Sequence, residues 1–308
     1  MAKFYITTSI PYVNAPGHIG HALEFVQADV IARFRRLQGD DTFFLTGTDE
    51  HGAKISKAAK ETGLSPEEFT NTISEKFREL GKALNISSDD FIRTSDQERH
   101  WPSVKEVWKK LREKDDLYKK EYEGLYCVGC EAFITKKDLE DSLCRIHKKS
   151  PEVVKEENWF FKLSKYSNDV QDAIESGKLR IVPDSRKNEM LEFIKEGLQD
   201  VSFSRPRKDL PWGVPVPEDS TSTIYVWADA LVNYLSALGY PDGENFKKYW
   251  PADVHVVGKD ILRFHATIWP AMLLALGLPL PKNIFVHGFI TVGGEKMSKS
   301  LGNVVDPF

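Results

Sequence analysis

Several groups of residues in this 308-residue chain have the types and spacing to do chemistry. Residues 294 to 303 read GEKMSKSLGN, a loop in which Lys296 and Lys299 stand three apart among glycine and serine. Gly293 and Gly294 give such a loop mobility, and two cationic donors on it suit a triphosphate whose charge shifts during reaction. Near the other end, PGHIGHALE places His18 and His21 three apart with Gly20 between them, where a periodic segment begins. The free N–H groups of a helix N-terminus favour an anion, the imidazoles add donors, and Gly20 lets a flat ring approach the backbone. Taken alone, His18, His21 and Glu24, which recur every three residues, could equally hold a metal or line a polar helix face.

A second constellation is metal-like. Cys127 and Cys130 are separated by two residues, and Cys144 and His147 repeat that spacing after a gap of thirteen. Three cysteines and a histidine in two short clips make a tetrahedral Zn2+ set, and every cysteine of the chain belongs to it. Four protein ligands leave no open position, so the expected zinc is structural. It would supply the folding energy that the lysine-rich, weakly apolar stretch 117–150 lacks.

Aromatic residues form the third group. In KDILRFHATIWPAM, Ile261, His265 and Trp269 fall at i, i+4 and i+8, and Trp227, Ala230 and Tyr234 also share a helical face. A core stripe accounts for such spacing, yet these residues follow strand ends, where ligands sit in open α/β sheets. An apolar, aromatic pocket suits a thioether, because sulfur packs well on ring edges, without excluding leucine or phenylalanine.

The elements that must position these groups read as α/β. KFYITTS is a strand broken by NAPG; a helix follows, with Ile19, Leu23, Val26, Val30, Phe34 and Leu37 at helical spacing and Gly39 as its stop; DTFFLTGT is the next strand. Strand, helix, strand is a βαβ unit with a right-handed crossover. Residues 66 to 113 read as helical, and the proline-rich SRPRKDLPWGVPVPEDS as a boundary. Alternation then resumes with the strand TIYVWAD, a helix through Tyr234, the strand DVHVVG, a helix from Lys259 and the strand NIFVHGFI. The expected architecture is a doubly wound, Rossmann-like parallel sheet in two halves, 1–114 and 216–308, split by an insertion at 115–215 whose zinc knuckle spans 127–147. A net charge of -4, 41% hydrophobic residues and no membrane-length apolar run exclude a membrane span and a uniformly basic nucleic-acid coat.

HIGH at 18–21 and KMSKS at 296–300, one in each half of a split nucleotide-binding fold, resemble the two signatures of the class I aminoacyl-tRNA synthetases. The resemblance spans the whole chain, and SIPYVN, TGTDEHG, YVWADA and GKDILRFHATIWPAM are similar to the methionyl-tRNA synthetases. It implies activation of methionine by ATP with Mg2+, giving methionyl-adenylate and pyrophosphate, then transfer to tRNA(Met). It implies ATP contacts from His18, Gly20, His21, Lys296, Lys299 and Asp260. His18, His21, Lys296 and Lys299 would stabilise the transition state as the amino-acid carboxylate attacks the α-phosphate.

The same resemblance implies Ile10, Tyr12, Trp227, Ala230, Tyr234, Ile261, His265 and Trp269 around the methionine side chain, with Asp49 on the α-ammonium group. Arg205 is implied near substrate or ATP, with Arg207 of the same FSRPR stretch as its competitor. Leu231 departs from members that carry proline there. The single Cys3His set resembles the one-knuckle forms, and an insertion of about a hundred residues lacks the long editing domain of the related leucine, isoleucine and valine enzymes.

Members of the family continue past KMSKS into a helical, anticodon-reading region. The stop at Phe308 is therefore expected to mark a fragment or a split subunit, with tRNA charging weaker than adenylate formation. A cytoplasmic monomer is expected. Two rival readings are a non-catalytic synthetase-like protein that binds RNA or a partner, and another class I nucleotidyltransferase. Both phosphate-facing sets argue against the first, and the zinc insertion and aromatic set against the second.

Overall fold

Six parallel strands build the central sheet: β1 (Lys3–Thr8), β2 (Asp41–Thr48), β3 (Asp90–Arg93), β4 (Arg180–Val182), β5 (Val254–Gly258) and β6 (Asn283–His287). Their order across the sheet is β3-β2-β1-β5-β6-β4. The computed structural model describes residues 1–129, 132–134, 138–146, 148–297 and 304–308. Because the chain winds outward from β1 to β2 and β3, then outward on the other side through β5 and β6, the strand order reverses between β1 and β5. A crevice opens at the carboxyl ends of the strands at such a switch point.

Helix α1 (Ile19–Leu37) packs on the sheet over β1, β2 and β5, where Ala28 and Ala32 meet Phe4, Ile6, Phe44 and Val256. Ile6 stands opposite both Phe44 and Val254, so the central strands are buried on two faces, as parallel sheets require. The two alanines have no exposure at all, and a larger residue there would cost about 1–3 kcal/mol by overpacking. The apolar stripe that marks this helix in the sequence is not its buried face. Val26, Val30, Phe34 and Leu37 are exposed, whereas Ala22, Glu24, Phe25, Ala28, Asp29 and Ala32 point inward. Close approach to the sheet selected small residues, and hydrophobicity alone pointed the wrong way.

After β2 come α2 (Ala53–Thr62) and α3 (Pro66–Ala83), the latter started by a Ser65–Glu68 capping box with Pro66 in the first turn. The span expected to be helical from 66 to 113 is interrupted by β3, whose four residues are too few to show a period. Helix α4 (Trp101–Glu113) then runs across the second face.

The insertion differs from a separate 115–215 unit. Leu117–Cys127 and Glu152–Phe161 form a long antiparallel hairpin, in register from Leu117 opposite Phe161 to Tyr126 opposite Glu152. Beyond it, Leu163, Val170, Ile174, Ile181, Met190 and Ile194 belong to the same core as Tyr5, Leu45 and Trp269, and β4 extends the main sheet beside β6. These apolar side chains have nowhere else to be buried. The proline-rich stretch is also structured: Ser204–Pro206, Pro215–Val216 and Asp219–Ile224 make a small antiparallel sheet. TIYVWAD is therefore not one strand, because the chain turns at Tyr225 into the short helix Val226–Ala230. Among the described residues, no helix is long and apolar enough to cross a membrane.

Candidate active site

The switch point gathers segments from both halves of the chain. At the end of β1, the N–H of Asp49 donates to the carbonyl of Pro11 (2.9 Å) and the N–H of Val13 to the carbonyl of Asp49 (3.0 Å), which sets Tyr12 beside Asp49. Ile10 packs against the edge of the main core. Asp49 is buried, and the two side chains after it point elsewhere. Glu50 takes both arms of Arg93 (2.7 and 2.8 Å) and the hydroxyls of Thr48 and Ser95, while His51 reaches Asp229.

Histidine replaces the usual serine and glutamate in a capping box at the start of α1. The His18 ring accepts from the N–H of Gly20 (3.1 Å), and the N–H of His18 donates to Nδ1 of His21 (3.0 Å), so the two rings stack at 3.9 Å. A Cβ at Gly20 would lie 2.8 Å from the His18 ring, so any side chain here would have to displace that ring. Met297, the methionine of the GEKMSKSLGN loop, is buried, and its Cε would stand 3.7 Å from that same Cβ. Val305 adds a second tie, its carbonyl accepting from the N–H of Ile19 (3.2 Å) and its N–H donating to the Met297 sulfur (3.3 Å). The two signature segments, nearly three hundred residues apart, thus meet at the N-terminus of α1.

The approach to Met297 is a strand pair, Thr291–Val292 with Glu295–Lys296. Gly293 and Gly294 both have positive φ, 62° and 85°, as a two-residue hairpin turn demands. Those glycines serve a tight turn, where the sequence suggested only mobility. Lys296 contributes its backbone to this pair; Lys299 lies outside the described residues.

Beyond the crevice lies an aromatic wall. Trp227 stacks face to face on Phe264 at 3.7 Å and 7°. Phe264 opens a π-helical turn, Phe264–Ile268, between Ile261 and the helix Trp269–Leu276; Phe264 is half-buried against the main core, and His265 and Trp269 are buried. Ala230, Tyr234, His265 and Trp269 are buried, and Ile261 is half-buried at their edge.

The hydrogen bonds of this wall fix its tautomers. Nδ1 of His265 can only donate to the carbonyl of Ile261 (3.0 Å), so Nε2 accepts from the Tyr234 hydroxyl (2.8 Å). The indole of Trp269 donates to Nε2 of His255 (3.2 Å), and Nδ1 of His255 then donates to Thr7 (2.8 Å). Burial pushes His265 down to about 4 and His255 well below the ordinary range, and it raises the Tyr234 and Tyr5 phenols. The wall is polar in composition yet carries no charge at neutral pH.

Asp260 sits at the exposed mouth, directly over Gly258, where a Cβ would lie 2.8 Å from its Oδ1. Arg205 is held elsewhere, donating through two nitrogens to Glu156 (2.7 Å each) with its guanidinium 4.2 Å over Tyr126. His255, Phe264, Asp229 and His287 escaped sequence reasoning. His255 on an apolar strand was a visible signal, but the partners of the others lie far away in the chain.

For the metal set, Cys127 and Cys144 are both buried and pack with Ile134 in one small cluster at the tip of the long hairpin. They are two of the four expected ligands; Cys130 and His147 lie outside the described residues. Among the described residues, no group of three or more His, Cys, Asp or Glu is placed to hold a metal.

A family model described as tRNA synthetases class I (M) matches residues 4–140 and 134–308. The chain belongs to this family. Among class I (M) relatives, the methionine–tRNA ligase of Thermotoga maritima is 50% identical over 99% of the chain, which covers 49% of that protein; for the Clostridium tetani ligase the figures are 53%, 99% and 47%. The chain spans about half the length of these relatives. The Mycobacterium tuberculosis methionyl-tRNA synthetase in complex with methionyl-adenylate superposes with a TM-score of 0.95 at 44% identity, covering 100% of this chain and 61% of that one.

Proposed function

We propose that the chain carries the amino-acid-activating part of a methionine–tRNA ligase. A carboxylate oxygen of methionine attacks the α-phosphorus of ATP, the bond to the β-phosphate oxygen breaks, and pyrophosphate leaves with the electron pair. No covalent enzyme intermediate is needed, so catalysis is alignment and charge stabilisation.

The observation that carries this reading is the uncharged aromatic wall beside the buried carboxylate of Asp49. Trp227, Ala230, Tyr234, Ile261, His265 and Trp269, with Ile10 and Tyr12, suit a neutral thioether chain, and Asp49 suits the α-ammonium group. The neutral His265 matters here, since an imidazolium would disfavour an apolar guest. The stacked His18 and His21, the N–H groups of α1 and Gly20 would receive the nucleotide, with Asp260 at its ribose side and Lys296 and Lys299 on the phosphates. Mg2+ would accompany ATP and offset its charge.

Zinc held by Cys127, Cys130, Cys144 and His147 would stabilise the hairpin tip and take no part in the reaction. Transfer of the methionyl group to tRNA(Met) would follow as the second step, in the cytoplasm and by a monomer. The test is a quenched single-turnover reaction of this chain with labelled methionine and MgATP. Methionyl-adenylate should accumulate to about one per chain, and its absence alongside intact methionine binding would remove the catalytic part of the proposal.

A further inference from the structure

One buried ion pair between the two halves has no part in the chemistry above. Glu24 lies on the inward face of α1, one turn after His21, and His287 ends β6, just before the segment that leads into the Thr291–Lys296 strand pair. Oε1 of Glu24 accepts from both the N–H (2.7 Å) and the hydroxyl (2.5 Å) of Ser9, at the end of β1. Its Oε2 is 2.7 Å from Nε2 of His287, and the two side chains are only 9% and 10% exposed.

The other ring nitrogen, Nδ1, is 2.9 Å from the carbonyl of Gly288. A carbonyl only accepts, so Nδ1 carries a proton; the carboxylate, with Ser9 donating twice to its other oxygen, accepts as well, so Nε2 also carries one. A ring with two N–H groups is an imidazolium. We infer that His287 is a positioning residue of the nucleotide site, an imidazolium strut that ties the root of the lysine-bearing segment to Glu24 on the helix that carries His18 and His21. This rests on the function proposed above.

The surroundings favour the charged ring. Against burial, which disfavours it, Glu24 outweighs and raises His287 above its ordinary 6.5, with Asp260 adding in the same direction. From the neighbouring elements, Tyr234 feels Glu24, and Lys259 donates its backbone N–H to the carbonyl of His287 (3.1 Å) while its ammonium rests 4.3 Å over Phe289. Since the native value is raised, the strut is complete below pH 6.5 and is lost as the pH rises through the native value. Loss of the ring proton leaves either Glu24 or Gly288 without its donor, and the segment leading to Lys296 and Lys299 loses its anchor.

Nitrogen-15 NMR of the His287 ring in this chain, identified by its disappearance in H287Q, tests the strut without relying on activity. Both nitrogens should carry protons at pH 6, with a midpoint above 6.5 that falls below it in E24Q. A singly protonated ring at pH 6, or a midpoint unmoved in E24Q, would overturn the assignment; should E24Q not fold, the parent ring decides. The second arm is the rate of adenylate formation between pH 6 and 9. The parent should lose rate through the NMR midpoint, while H287N should lack that alkaline fall and show an ATP KM raised roughly tenfold with the methionine KM unchanged. The same alkaline fall in H287N would remove the positioning role. If no adenylate forms at any pH, the proposed function has failed, and NMR still decides the state of the ring.

Discussion

The carboxylate of Asp229 lies 2.6 Å from Nδ1 of His51 and, through its other oxygen, 2.9 Å from Nε2 of His100. All three side chains are buried, and the contact joins residues of the first half to the short helix that presents Trp227 and Ala230. His51 follows Asp49 by two residues, so this carboxylate helps to fix the acidic rim to the aromatic wall. Burial works against its charge, but the two histidines more than offset that and hold it below the usual carboxylate range.

Removing that charge should therefore uncouple the rim from the wall. Asp229→Ala leaves two buried imidazoles without their acceptor and is expected to cost about 3 kcal/mol in urea unfolding. Asp229→Asn, which keeps the shape, should fold more stably than the alanine variant while raising the methionine KM more than the ATP KM. Equal stability of the parent and Asp229→Ala would show that the joint carries no load.

The neutral wall makes stability depend on pH in a defined direction. His265 titrates at about 4 in the folded chain against an ordinary 6.5, so between those values the unfolded chain binds the extra proton. The stabilisation is complete above pH 6.5 and is lost as the pH falls toward 4, and His255 adds to it. By pH 5 the loss from His265 alone is about 2 kcal/mol, read as a lower urea midpoint than at pH 7. A midpoint independent of pH across that range would mean that these rings are charged or exposed.

Zinc removal should act locally. Cys127→Ser is expected to release the metal and unfold the tip of the Leu117–Phe161 hairpin, while the parallel sheet, whose core includes neither cysteine, keeps its far-ultraviolet circular dichroism. Metal analysis showing one zinc per chain in the variant would overturn the ligand set.

Lys299 should act on rate rather than affinity. Lys299→Ala is expected to slow adenylate formation by about 10²–10³, the usual loss for one donor that stabilises developing charge. Pre-steady-state kinetics with an unchanged methionine KM would fit this role, and an unchanged rate would remove it.

Much of this was legible in the sequence where the signal is local. The strand at 3–8, the helix start at His18 and the strand at 41–48 follow from β-branched runs, a glycine break and periodicity. The apolar stripe of α1 misled because small residues, not large ones, allow close packing on a sheet. The four-residue β3 and the turn at Tyr225 are too short to show a period. Phe264 opens a π-helical turn, and such a turn breaks the spacing that a regular helix would keep. Asp229 and Glu24 find histidine partners 178 and 263 residues away, and such pairs emerge only once the sheet has brought the halves together.

The most direct test of the account is exchange of labelled pyrophosphate into ATP, catalysed by this chain with Mg2+ and one amino acid at a time. The account predicts exchange with methionine and none above background with leucine, isoleucine, valine or phenylalanine. Exchange driven by one of those instead, or none with methionine, would contradict it.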